Sequence, residues 1–192
     1  MCVYFAFPNN QSINESISHS DGIRGFFATY LTSPESLTVD YVPEVLAEAV
    51  RNSDTKTMVP LACMNVIMPT AMSSMHQDAE LRECASKTAV NGLKILRLLK
   101  GNEEVVRNCK AIMIVCQGTG EGPEDEFFEV MIQVCVVHAY LGESCLFLSH
   151  MLIIKLFSFL VVIHQYWNNF FDGYKYGEKQ KDDIASVMSE FC

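Results

Sequence analysis

The chain has 192 residues, 49% of them apolar and 19% charged, with a formal charge of -9 and a pI near 5.0. That length suits one ordinary domain with a substantial core and falls short of two. The acidic balance lacks the clustered Lys and Arg of a nucleic-acid footprint, and bears on solubility rather than on any one ligand.

The opening MCVYFAFPNN has no basic n-region, and Pro8 cuts its apolar run short, so it reads neither as a signal nor as a transit peptide. Polar residues rich in Asn and Ser follow, and residues 1–19 read as a disordered lead-in. A helical domain is expected over 20–117. Ser20 and Asp21 offer capping oxygens to a first helix over 21–31, whose Ile23, Phe26, Phe27 and Tyr30 make one aromatic face. Pro43 in the first turn opens a second helix over 43–52, with Val42, Val45, Leu46, Ala49 and Val50 as its inward stripe.

The stretch 57–76 is apolar on most sides and reads as a central helix, capped by Thr57 with Pro60 in its first turn. Pro69 removes a backbone hydrogen bond and crowds the preceding turn, which predicts a kink or break. Asn65, inside the apolar run, is expected to bond a neighbouring backbone group, because an unpaired buried amide costs on the order of 1–3 kcal/mol. Met58, Met64, Met68, Met72 and Met75 crowd into the same stretch and are assigned to the core. Asp78 caps a covering helix over 79–100, with Leu81, Ala85, Thr88, Gly92, Ile95 and Leu99 facing inward and Lys94 outward. Gly92 within that stripe signals close approach of another helix, and Gly101 is a left-handed terminator. Asn102 caps a helix over 103–116 carrying Val105, Val106, Cys109, Ile112, Met113 and Cys116, and the short connection implies an antiparallel pair.

QGTGEGPEDE then supplies three glycines, a proline and four acids, a loop over 118–126. From Gln117 to Glu126 it is similar to the acidic Gly-rich flavin-binding loop of flavodoxin-like domains, which also follows an apolar strand. That resemblance implies a flavin or nucleotide held at 117–126. The upstream Ser/Thr-rich phosphate loop of that family is not evident here, and no βαβ alternation surrounds the motif. Over 127–192 the expectation is a long apolar helix near the C-terminus followed by an amphipathic helix over 181–191. The window 145–163 is long enough to cross a bilayer at about 1.5 Å per residue, though Lys155 costs roughly 2.5–3.5 kcal/mol there. Trp167, Tyr174 and Tyr176 are packing anchors.

The fold expected is therefore all-α, an irregular antiparallel helical bundle. The eight cysteines include no C-x-x-C pair and read as reduced core residues of an intracellular protein. The five histidines are scattered, and no H-E-x-x-H or nucleophile motif occurs, so no catalytic, metal or cofactor residue is assigned. Three functional readings follow: a non-catalytic helical interaction or scaffold protein, with another protein as partner; a single-pass membrane protein anchored by 145–163; or a flavin or nucleotide binder using 117–126. One further feature concerns the gene. Removing Val134 to Gln165 joins two soluble helical stretches. The segment's Phe, Leu, Ile, Val, Cys and Ser content is that of translated pyrimidine-rich noncoding DNA, which reads as a retained intron.

Overall fold

The computed structural model describes Glu15, Ile17 and residues 19–33, 41–118 and 161–192. Among these residues the chain is helical, with no strand, and the all-α class holds. In chain order the elements are α1 (Ser20–Tyr30), α2 (Glu44–Asn52), α3 (Thr55–Met75), α4 (Ala79–Leu98), α5 (Glu103–Gln117), α6 (residues 161–174) and α7 (Glu178–Met188). The 3-10 turn Ser189–Phe191 follows α7. The chain divides into two compact units, one of residues 1–106 with Phe191, the other of residues 107–190 with Cys192.

In the first unit α3 and α4 form the main pair, with α1 packed on α3 and α2 on α4. The helix starts differ by a residue or two from the sequence reading. His19, rather than Ser20 or Asp21, caps α1: the Gly22 N–H donates to its Nδ1 at 2.8 Å. Asp54 takes the place expected of Thr57 and accepts from Lys56 N–H, while the Thr57 hydroxyl donates to the same carboxylate at 2.7 Å. A carboxylate three residues earlier in the chain is the better acceptor for orphan amides. Pro60 consequently lies in the second turn of α3, and Asp78 caps α4 as expected, accepting from Glu80 and Leu81 N–H.

Pro69 neither breaks nor ends α3, which runs unbroken to Met75. It does deny the Asn65 carbonyl the bond that residue 69 would otherwise give. That carbonyl faces Gly92 of α4. A Cβ at Gly92 would lie 2.7 Å from the Asn65 oxygen and 3.1 Å from Val66 Cγ2, so only glycine admits this approach. Residue 65 lies level with residue 92, as it must in a hairpin that turns at 76–78. The Asn65 side chain donates back to the Leu61 carbonyl at 2.8 Å, the local bond its position requires. Next to Gly92, Asn91 is almost wholly buried at 1% exposure and its Nδ2 reaches the Leu31 carbonyl at the end of α1, 3.4 Å away. Lys94 is half-buried rather than outward, because its ammonium donates to Asn91 Oδ1 at 3.0 Å.

In the second unit Trp167 of α6 is fully buried, and its indole N–H donates to Asn108 Oδ1 of α5 at 3.0 Å. The buried stripe of α5 is Val105, Asn108, Cys109, Ile112 and Cys116, whereas Val106 and Met113, expected inside, are half-exposed. Phe171 packs edge-on against Tyr176, whose ring stacks with that of Tyr174. Lys175 between the two tyrosines takes a left-handed conformation at φ 52° and closes α6 through a bond from its N–H to the Phe171 carbonyl. The Gln180 side chain accepts from Gly177 N–H at the start of α7.

The expected membrane window 145–163 lies outside the described residues except for 161–163, which are helical. The long apolar helix expected near the C-terminus is therefore not borne out. Among the described residues the helix of sufficient length and apolarity is α3, with more than half of its apolar window buried within the chain. A core helix surrounded by neighbours acquires the same composition as a membrane span, since both lack water on most sides.

Two glycines separate packing from propensity. Gly92→Ala is expected to destabilise by about 1–3 kcal/mol, because the added methyl must displace backbone. Gly25, with open space around its Cβ position in α1, should instead gain about 0.5–1 kcal/mol on conversion to alanine. Urea titrations moving both midpoints the same way would contradict this packing.

Candidate interaction surface

The α3–α4 hairpin carries the most distinctive surface of the first unit. On α3, Met64, Met68, Met72 and Met75 recur every three or four residues and so share one face. Met58 alone among the α3 methionines is fully buried. Met64 and Met68 are half-buried, Met72 is 42% exposed and Met75 is 56% exposed. The assignment of all five to the core is thus corrected for four of them. Helical spacing puts them on one side, but the side covered by neighbours is the opposite one, through Val59, Cys63, Val66, Ile67 and Ala71. Leu81, expected on the inward stripe of α4, is 51% exposed at the same end of the hairpin, since the first turns of α4 project past the packed region.

The polar groups around this end are largely committed. Arg82 Nη1 donates to the His76 and Gln77 carbonyls at 3.2 and 2.6 Å, clamping the connection between the helices. Lys87 pairs with Glu83 at 2.6 Å; its hydrogen bond and charge hold the Glu83 carboxyl below its ordinary range and the Lys87 ammonium above its own. Asp78 and Glu80 stand beside Arg82 at this end, Glu83 is paired with Lys87, and Cys84 is exposed among them.

No group of three His, Cys, Asp or Glu able to hold a metal occurs among the described residues. His19 caps α1, His76 ends α3, and His164 on α6 is half-buried, its pKa lowered by burial. His138 and His150 lie outside the described residues, as does the Gly-rich loop 117–126 beyond Gln117 and Gly118. The sequence reading missed the buried amides of Asn91 and Asn108. Their signal was present in the apolar stripes they interrupt, Thr88–Ile95 on α4 and Val105–Ile112 on α5.

Comparison with known families adds one result. A family model matches residues 9–131, well over half of the chain. The chain belongs to the family described as Uncharacterised conserved protein UCP020893. Helices α1 to α5, and with them the whole methionine face, lie inside the UCP020893 match, which ends before α6. No curated protein and no solved structure matches the chain.

The cysteines divide by exposure. Cys63, Cys109 and Cys116 are buried, Cys84 and Cys192 are exposed, and none of the five forms a disulfide. Burial pushes the Cys116 thiol up to about 12 and, with the neighbouring Tyr174, the Tyr176 phenol up to about 12. In native protein at pH 8, iodoacetamide should modify Cys84 and leave Cys116 intact, its thiolate fraction being roughly one in ten thousand. Both raised groups ionise more readily in the unfolded chain. Stability is therefore fully retained below the ordinary thiol pKa and lost as pH rises from about 9 towards 12. A flat urea midpoint across that interval, or Cys116 alkylated as fast as Cys84, would contradict this assignment.

Proposed function

We propose that this protein is a non-catalytic helical interaction module whose α3–α4 hairpin receives an amphipathic helix of another protein. The observation that carries the reading is the exposure of Met72 and Met75 on one face, with half-buried Met68 behind them and exposed Leu81 nearby. Methionine is flexible and polarizable, so such a stripe adapts to an apolar helix face without a preformed cleft. The overall charge of -9 favours a partner helix with basic flanks. An intracellular, reducing setting suits the five described thiols.

The test is a methyl spectrum of protein labelled at methionine Cε, titrated with a synthetic helix bearing leucine on one face and lysine at its flanks. Met68, Met72 and Met75 should shift while Met58 stays still. Met72→Glu and Met75→Glu should abolish binding and leave stability within about 0.5 kcal/mol, as surface changes do. Unmoved Met72 and Met75 signals at millimolar peptide, or the same shifts produced by raising protein concentration alone, would count against a heterologous partner.

We also infer that 134–165 is a retained intron. The segment's composition supports this: Phe, Leu, Ile, Val, Cys and Ser dominate it and charged residues nearly vanish, while the sequence on either side returns to mixed polar and apolar residues. Sequencing of mature transcripts should return messages lacking the segment. Uniform inclusion of all its codons would favour a genuine apolar insertion and the membrane-anchor reading of 145–163.

A further inference from the structure

The methionines of α3 are graded from core to solvent. Met58 is fully buried, Met64 and Met68 are half-buried, and Met72 and Met75 are 42% and 56% exposed. Met188, on α7, is as fully buried as Met58. The two exposed thioethers stand at the tip of the hairpin, past the contact of Gly92 with Asn65 that seats α4 on α3.

A thioether is the one apolar side-chain group that peroxides convert into a polar one. A sulfur lone pair attacks the outer oxygen of a hydroperoxide, the O–O bond breaks and an S–O bond forms. Sulfur is oxidised by two electrons and the peroxide is reduced. The proton of the transferred oxygen passes to the departing oxygen, which leaves as an alcohol or, from hydrogen peroxide, as water. On an exposed residue the new oxygen stays hydrated, so the fold is not disturbed. Beneath an apolar helix face it loses that water without gaining a donor, and carries the penalty of a buried unsatisfied polar group.

We propose that Met72 and Met75 are an oxidative modification site, at which a hydroperoxide converts the docking face to sulfoxides and releases the partner helix. This inference rests on the reading of that face as a docking surface and adds its regulation. The gradient of exposure makes the site selective: oxidation reaches the tip first and spares Met58, on which the core depends. Sulfur, and not apolar character alone, is then what these two positions contribute. Leucine at both keeps the face apolar and removes its sensitivity.

The test treats the full-length protein with hydrogen peroxide after its exposed thiols, Cys84 and Cys192 among them, have been capped with iodoacetamide. Peptide mass spectrometry should find Met72 and Met75 oxidised well before Met58 and Met188, with the circular dichroism and urea midpoint unchanged. Affinity for the synthetic leucine-faced, lysine-flanked helix should then fall by at least about tenfold. The double variant Met72→Leu with Met75→Leu should bind the helix as wild type does and keep that affinity through the same treatment. Wild-type binding that survives conversion of both residues overturns the switch and leaves the docking surface standing. So does an equal loss in the leucine variant, or oxidation of Met58 in step with the tip. No binding before peroxide is added removes the docking surface itself, and the switch with it.

Discussion

The packing of α1 to α4 depends on the approach of Gly92 to the Asn65 carbonyl. Pro69 cannot bond that oxygen, and the missing side chain of Gly92 allows the α4 backbone to come against it. The neighbouring residue extends the effect. Asn91 is held almost wholly buried beside the contact, reaching the last carbonyl region of α1 and receiving the Lys94 ammonium. One turn of α4 therefore fixes its own seat on α3 and anchors the end of α1. The proline that should weaken α3 as an isolated helix shapes the contact that holds it within the unit.

That seat also accounts for the exposed tip. The two helices pack tightly around 65 and 92, and their joined ends run on past the neighbours supplied by α1 and α2. Met72, Met75 and Leu81 are left on this projecting end. The arginine clamp from Arg82 to the His76 and Gln77 carbonyls keeps the connection closed, so the apolar side chains stand on a defined scaffold. Flexible, polarizable methionine side chains thus stand on a backbone held by local hydrogen bonds.

Buried polar groups do comparable work in the second unit. Trp167 brings a large apolar surface and one donor, and Asn108 satisfies that donor within an otherwise apolar stripe. Such a pair sets orientation as well as burial, because leaving either group without its partner costs on the order of 1–3 kcal/mol. Cys109, on the same helix, instead meets a thioether, giving α5 two different side-chain chemistries on adjacent buried positions.

The helices themselves were legible in the sequence. Apolar spacing, Asp78, Pro43 and Gly101 act through bonds a few residues long, so α1 to α5 and α7 begin and end close to where those residues place them. Gly92 was legible for the same reason, as a gap in an inward stripe. Periodicity says which residues share a face, but not whether another helix covers that face. For α3, apolar nearly all round, it left every side equally eligible. Only the tertiary structure decided that Met58 is buried while Met72 and Met75 are exposed, and that Asn108 meets Trp167 across 59 positions of sequence. Those outcomes depend on contacts between distant segments, and a local pattern carries no term for the neighbour that arrives.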